Sequence, residues 1–217
     1  MYFVDKPSSL RRREHSSPGT VSNARTVAVG RKRVDMEIEV TKVVADHRRE
    51  AAWRLYNDAF EELRATAVQR HVMHRHEFDE VMADERVIKV VGFEGDPAIM
   101  TGLATYTNDL EAMPLISPDY FARRWPDLYA TSRIWYLGFF AVHPEHRGTG
   151  IFEAVIETMW QVVLAGQGIA TLDISRRNER LGLPQAIEQT LQSLSPGVAA
   201  SRIDEQAFWV YTAPPAA

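Results

Sequence analysis

Residues 139–152 have the sequence FFAVHPEHRGTGIF, in which an apolar run ends at a proline, passes a short glycine turn and enters an apolar-periodic segment. The apolar run begins further upstream, and its composition predicts a strand over 134–142. Pro144 ends that strand because it has no N–H for the ladder. Downstream, apolar residues recur at helical spacing over 151–165. The segment is therefore predicted to be a strand, a tight turn and a helix.

The turn 147–150 has the chemistry of an anion site. Its glycines let successive backbone N–H groups converge, since no Cβ blocks positive φ or close approach. The start of the helix adds N–H donors without intrahelical acceptors and the positive end of the helix dipole. Arg147 adds a fixed positive charge. Together these features suit a pyrophosphate.

This segment resembles the signature of the GNAT acetyltransferase superfamily, which is a strand ending in Val-x-Pro, then Arg/Gln-x-x-Gly-x-Gly/Ala, then a helix. Val142-His143-Pro144 and Arg147-Gly148-Thr149-Gly150-Ile151 match it in residue type and spacing. The resemblance implies acetyl-CoA or another acyl-CoA as co-substrate, with no metal. It further implies that strand amides pair with the pantetheine arm and that turn amides hold the pyrophosphate. The residues expected to bind acyl-CoA on this basis are Phe140, Ala141, Val142, Arg147, Gly148, Thr149, Gly150, Ile151, Phe152 and Asn178.

Three features depart from the family pattern. Phe152 stands where Gly or Ala is usual. If its ring faces the core, phosphate binding is kept, but the pantetheine arm binds in a different position. Tyr136 stands where many members have a general-base glutamate. Residues 176–194 contain no tyrosine, although many members place there the acid that protonates the thiolate. Asn178 resembles an asparagine that often lies near the pantetheine, and a plain helix cap explains it equally well.

Two residues are the candidate substitutes for the missing acid and base. Tyr136 is the candidate acid, because a phenol is a neutral donor at neutral pH. Period-two geometry predicts that it shares a face with Gly138, Phe140 and Val142. Asp109 is the candidate base or amine anchor. Both residues are also readily explained as packing or turn residues.

The rest of the sequence predicts a mixed α/β domain, with a mostly antiparallel sheet flanked by helices. Alternating or continuous apolar patterns predict strands. Helical spacing and caps predict a first helix after Asp46. The remaining predicted strands are 36–44, 87–93, 98–106, 168–175 and 202–212, and the remaining predicted helices are 64–83, 119–124 and 183–194.

Two regions are predicted from composition. Residues 1–35 are rich in Ser, Pro, Gly and Arg and hold eight Lys or Arg against three Asp or Glu, which predicts a disordered basic leader. Residues 36–217 form the predicted GNAT-like domain, and they carry the rest of the net charge of −4, so they are acidic. An acidic body favours a cationic small-molecule acceptor. We expect neither nucleic-acid nor membrane binding, and the sequence leaves a homodimer open.

Several function classes are disfavoured by residue content. The chain has no cysteine, which excludes disulfides and a cysteine nucleophile and fits the reducing cytoplasm where we expect the protein. No apolar run approaches the ~20 residues of a membrane span. His71, His74 and His76 lack a carboxylate at a persuasive ligand spacing, so we expect no metal site there. His143 precedes the motif proline and is expected to face solvent.

The resemblance implies an acyl-CoA-dependent N-acyltransferase that moves an acyl group, in the first place acetyl, directly to a small amine. Two alternatives stay open. Synthases that place long acyl chains on amino-acid-like acceptors share the fold, and the aromatic insertion at 108–132 could line a longer acyl tunnel or simply pack. A non-catalytic acyl-CoA sensor fits the missing acid and base.

Overall fold

The computed structural model describes residues 21–29, 32–66, 72–95, 99–114 and 116–213. Within these ranges the chain forms one six-stranded sheet whose strands neighbour each other in sequence order. All strand pairs are antiparallel except β5 with β6, which is parallel, so the predicted mixed and mostly antiparallel class is confirmed. The strands are β1 (Val21–Val29), β2 (Lys32–Thr41), β3 (Ile88–Glu94), β4 (Ile99–Thr107), β5 (Ile134–Val142) and β6 (Ile169–Leu172).

Helices cover both faces of the sheet. On one face, α1 and α2 bury an aromatic cluster that contains Tyr56 and Phe78. On the other face, α5 buries Val155 and Met159 against the sheet, and α7 packs on α5. None of the described helices is both long and apolar enough to cross a membrane. The helices are α1 (Asp46–Thr66), α2 (Arg75–Ala83), α3 (Pro118–Arg124), α4 (Pro126–Ala130), α5 (Ile151–Ala165), α6 (Arg176–Arg180) and α7 (Leu183–Leu194).

The amino-terminal strands differ from the sequence prediction. Residues 21–29, predicted to be disordered, form β1, and β2 begins at Lys32. The two strands pair from Val21↔Val40 to Val29↔Lys32. A main-chain ladder does not require an apolar pattern on an edge strand, which is why composition missed it. The predicted boundary between residues 35 and 36 therefore falls within β2. Residues 1–20 lie outside the described residues, and a leader over that part of the chain stays a prediction.

The carboxyl-terminal prediction is wrong in the structure. Residues 202–212, predicted to be the last strand, have no regular secondary structure, and Trp209 is 80% exposed. The start of this segment is held elsewhere, because the Tyr120 hydroxyl donates to the Ile203 carbonyl oxygen (3.2 Å). High β-propensity forms a strand only where a pleated, half-buried surface receives it. The predicted buried strand 168–175 is likewise shorter, since only β6 is regular and it is half-buried.

A pair of glycines lets α5 approach the sheet closely. Gly92 on β3 and Gly102 on β4 are cross-strand partners, and the buried Ile151 side chain lies over both. A Cβ on Gly102 would lie 2.8 Å from Ile151 Cγ1, and one on Gly92 would overlap Ile151 Cδ1. Ile151 is the first residue of α5, so these contacts fix where the helix begins relative to the sheet.

Gly92→Ala should therefore destabilise the protein by about 1–3 kcal/mol through overpacking. Ile151→Val removes the Cδ1 atom, so the double variant should lose less stability than the sum of the single variants. The free energy of unfolding from chemical denaturation measures both effects. Gly166→Ala is the matched control, because a Cβ there meets nothing closer than 3.6 Å. Wild-type stability of Gly92→Ala would show that Ile151 does not pack tightly against Gly92.

Candidate active site

β5 contains a β-bulge that changes the facing of its side chains. Thr105 pairs with Phe139 and Tyr106 with Leu137, so Gly138 is an extra residue without a cross-strand partner on β4. A Cβ at Gly138 would lie 2.8 Å from Thr105 Oγ1, which favours glycine at this position. The buried Thr105 hydroxyl accepts the N–H of Phe139 at 3.2 Å and so fixes the bulge.

Beyond the bulge, β5 and β6 no longer pair. Their last pair is Leu137↔Leu172, whereas β5 continues to Val142. The edge of β5 from Gly138 onward therefore has no strand partner on the β6 side among the described residues.

The backbone direction along this open edge follows from two hydrogen bonds to β4. The N–H of Phe139 points to Thr105, and the N–H of His143 donates to the Thr101 carbonyl oxygen at 2.9 Å. Because successive backbone groups of a strand point to opposite sides, the amides of Phe140 and Val142 face the open edge. The same alternation directs the amide of Ala141 towards β4. Only two of the three predicted pantetheine-binding amides therefore face the open edge of β5.

The turn after β5 has the predicted form. A short 3₁₀ turn over Pro144–His146 is followed by Gly148 at φ +82° and Gly150 at φ +94°. A Cβ on Gly148 would meet nothing within 4 Å, so positive φ and not space requires glycine there. The first turn of α5 follows directly, and its backbone N–H groups point back along the helix axis. Arg147 is exposed and makes no ion pair within the described ranges.

A buried carboxylate lies behind this turn. Glu94, the last residue of β3, is 2% exposed. Its Oε1 accepts the Thr149 hydroxyl at 2.5 Å, and its Oε2 lies 2.7 Å from His146 Nδ1. The Thr149 hydroxyl also lies 2.9 Å from the His146 carbonyl oxygen. Donation from Nδ1 to a carboxylate favours the tautomer that carries its proton on Nδ1.

Phe152, the departure from the family pattern, faces the core. Its ring packs edge-on to Phe140, with centroids 4.9 Å apart and planes at 87°. The bulky side chain therefore fills space between α5 and β5 and leaves the turn itself clear. Its contact with Phe140 fixes the orientation of a side chain next to the open edge.

Tyr136 does not share a face with Phe140 and Val142, so that prediction is wrong. The bulge at Gly138 shifts the alternation by one residue. Phe140 and Val142 pack towards α5, whereas Tyr136 packs with Leu110 and Phe121 on the opposite side.

The Tyr136 hydroxyl is committed to a carboxylate. It donates to Asp173 Oδ1 at 2.5 Å. Burial first, and then the charge of Asp173 and its hydrogen bond, raise the pKa of Tyr136 well above its usual range. Asp173 directly follows β6 and is exposed, so the pair lies where β5 and β6 separate.

Asp109 lies at the other end of β5. Its Oδ1 accepts the N–H of Glu111 at 3.2 Å and so caps a 3₁₀ turn. Asp109 and Glu111 line a cavity of about 320 Å³ together with Ile134, the first residue of β5. Asp109 therefore lies beside the start of β5, three residues before Leu137, where the pairing of β5 with β6 ends.

Asn178 and the histidines singled out in the sequence have local structural roles or lie outside the described residues. Asn178 lies inside α6, where Ser175 is the cap and accepts its N–H at 3.3 Å, so the cap explanation of Asn178 is wrong. His143 caps the 3₁₀ turn through its ring. His74 and His76 stack on each other, His71 lies outside the described residues, and the described part of the chain contains no cluster of metal-ligating groups.

The aromatic insertion packs mainly on itself. Phe121 is buried and stacks on Trp125, with centroids 6.0 Å apart, and Tyr120 meets Phe121 edge-on. These rings join Leu110 and Ile134 in one cluster. The contacts favour the packing explanation of the insertion over a ligand cage.

Sequence reasoning missed Asp173 and Glu94. Each lies 37 or more positions from its partner, since Tyr136 bonds Asp173 and Glu94 bonds His146. The only sequence signal for either was an acidic residue at the end of a strand.

Comparisons with known proteins give likenesses to acetyltransferases among solved structures. An acetyltransferase from Trypanosoma brucei is 15% identical, with a TM-score of 0.46 over 81% of this chain and 100% of that one. An aminoglycoside acetyltransferase from an uncultured soil sample is 11% identical, with a TM-score of 0.48 over 81% and 97%. A ribosomal-protein-alanine N-acetyltransferase from Brucella melitensis is 14% identical, with a TM-score of 0.40 over 82% and 99%.

No protein-family model matches the sequence, and no curated protein matches it significantly. The features of the chain itself that bear on function are the open edge of β5 and the glycine turn.

The Tyr136–Asp173 hydrogen bond should appear as a coupling in a double-mutant cycle. Combining Tyr136→Phe with Asp173→Ala should give a coupling of about 1 kcal/mol in the free energy of unfolding. Tyr120→Phe is the matched control, because its hydroxyl donates to Ile203 instead. It should be additive with Asp173→Ala. Additivity of the Tyr136 pair as well would show that the hydrogen bond contributes nothing in solution.

Proposed function

We propose that the chain is a GNAT-type acyltransferase that uses acetyl-CoA or another short acyl-CoA to acylate a small amine. The observation that carries this proposal is the continuity between the open edge of β5 and the glycine turn. An extended pantetheine arm could pair with the C=O of Phe140 and the N–H of Val142 as an added strand, which leaves the N–H of Phe140 for the acyl group. The same ligand would then reach the turn with its pyrophosphate.

The turn supplies three kinds of anion-binding group for that pyrophosphate. Gly148 and Gly150 at positive φ let backbone amides converge, and the first turn of α5 adds the dipole. Arg147 lies exposed beside them and would pair with a phosphate oxygen. Phe152 does not obstruct this site because its ring is turned into the core.

The proposed reaction takes place where β5 and β6 separate. The amine nitrogen attacks the thioester carbonyl, a C–N bond forms, and the C–S bond breaks with the electron pair leaving on the thiolate. The N–H of Phe140 would donate to the carbonyl oxygen as negative charge develops there. Holding the two reactants together in the right orientation lowers the activation free energy, by on the order of 7–11 kcal/mol in well-oriented cases.

Asp173 is the proposed acceptor of the proton that the amine releases. It is exposed at the separation point, and the Tyr136 hydroxyl holds its carboxylate in place. The raised pKa of Tyr136 keeps the phenol protonated, so it serves better as a fixed donor to Asp173 than as a proton source for the thiolate. The thiolate would take its proton from solvent.

The charge distribution supports a cationic amine as the acceptor. Residues 36–217 are acidic overall, and Asp109 and Glu111 line a cavity near the start of β5. A carboxylate there would attract a second amino group of the acceptor. The long-chain alternative loses its main support, because the aromatic insertion packs on itself. Release of CoA in the presence of amines discriminates an enzyme from a sensor.

The binding site is tested by acetyl-CoA titration calorimetry. Arg147→Ala removes a charge-assisted contact and should weaken binding by about 1.5–3 kcal/mol. Gly150→Val should weaken it further, because a β-branched residue does not adopt positive φ readily. Arg54→Ala, which breaks only an exposed ion pair with Glu50 on α1, is the control and should bind as wild type. Wild-type affinity in both turn variants would refute the proposed site.

The proton acceptor is tested by the turnover of single variants with an amine found by screening CoA release. Asp173→Asn should lower kcat by about 10²-fold or more, with little change in the KM for acetyl-CoA. Tyr136→Phe should cost less, on the order of tenfold, because it removes only the group that holds Asp173. A larger loss in Tyr136→Phe than in Asp173→Asn would instead make the phenol the proton donor.

A further inference from the structure

The proposed transfer makes no use of Glu94, although this carboxylate is the most buried acidic group near the turn. Burying a carboxylate is unfavourable unless hydrogen bonds compensate it. Both of the contacts described for Glu94 come from the turn region. His146 immediately precedes Arg147, and Thr149 immediately follows Gly148. One carboxylate on β3 therefore holds the residues on either side of the Arg147–Gly148 pair.

A turn with two glycines needs such an attachment if it is to bind an anion well. Glycine loses more conformational freedom on ordering than any other residue. If a ligand had to order the turn, binding would be weaker by the free energy of that ordering. The Glu94 hydrogen bonds order the turn before any ligand is present, and the Ile151 contacts with Gly92 and Gly102 fix its far end.

We propose that Glu94 is a positioning residue for the pyrophosphate of acyl-CoA, acting through His146 and Thr149. It does not touch the ligand, since it lies behind the turn, and its effect is confined to the phosphate end of the site. This inference rests on the proposed function. On this basis, the affinity of the turn for the pyrophosphate depends on a carboxylate that lies more than 50 positions before His146 and Thr149 in the sequence.

The alternative is that the contacts only stabilise the fold. Two ligands distinguish the explanations: CoA carries the pyrophosphate and the adenosine 3′-phosphate, and pantetheine is the same arm without either group. A positioning role predicts weaker binding of CoA with unchanged binding of pantetheine. A general loss of structure would weaken both.

Thr149→Val is the first variant, because it keeps the shape of a half-exposed side chain and replaces only the hydroxyl with a methyl group. The dissociation constant of CoA should rise about tenfold, and that of pantetheine should stay within about twofold of wild type. Thr149→Ser restores a hydroxyl and should return CoA binding to near the wild-type value. Glu94→Leu removes both acceptors and should show the same selective loss of CoA binding at least as strongly.

Each result decides between the explanations. Equal weakening of CoA and pantetheine, or wild-type CoA binding in Thr149→Val and Glu94→Leu, would overturn the positioning role while leaving the proposed function standing. If Glu94→Leu does not fold, the comparison of Thr149→Val with Thr149→Ser decides alone. A wild-type chain that binds no CoA would overturn the proposed function, and the positioning role with it.

Discussion

The extra residue at Gly138 determines the geometry of the candidate site. Without it, β5 would alternate regularly along its length, and Tyr136 would face α5 with Phe140. With it, the two halves of the strand present opposite faces, and the pairing with β6 ends at Leu137, the residue just before the bulge. The Thr105 hydroxyl stabilises this arrangement by accepting the N–H of Phe139. The bulge therefore lies where the open edge of β5 begins, next to the Tyr136–Asp173 pair.

The far end of the site is fixed by packing and by charge. Ile151 seats the start of α5 on Gly92 and Gly102, so the amino terminus of the helix lies close above β3 and β4. Glu94, two residues beyond Gly92, holds His146 and Thr149 from the same strand. The strand β3 thus supports both the helix that supplies a dipole and the turn that supplies converging amides. The cleft and the turn form one continuous surface because β5 leads directly into that turn.

Sequence reasoning predicted the central part of the fold well. The bounds of β5, α5 and α7 were predicted as the structure has them, because apolar spacing, Pro144 and the glycines mark them clearly. The sheet class followed from the order of these elements. The strand β1 was missed because a main-chain ladder leaves no apolar signature, and 202–212 was overpredicted because β-propensity alone does not provide a pairing edge.

The site was less predictable than the fold. The glycine turn and Arg147 are local, so the motif located them. The bulge depends on how β4 and β5 pair, and no spacing within β5 distinguishes Gly138 from an ordinary strand residue. Asp173 and Glu94 meet their partners only through the sheet register. The sequence offers only weak local signals for them, namely a glycine inside a strand and an acidic residue near the end of a strand. Because neither signal gives the register, the face predicted for Tyr136 was wrong.

Backbone amide resonances during a titration with CoA show where the ligand binds. The amides of Phe140, Val142, Gly150 and Ile151 should shift strongly, because they face the open edge or the turn. The amides of Phe139 and Ala141 should shift less, because they point to β4. Shifts centred on the cavity at Asp109 and Glu111, with β5 and the turn unchanged, would show that CoA does not bind along β5 and the glycine turn.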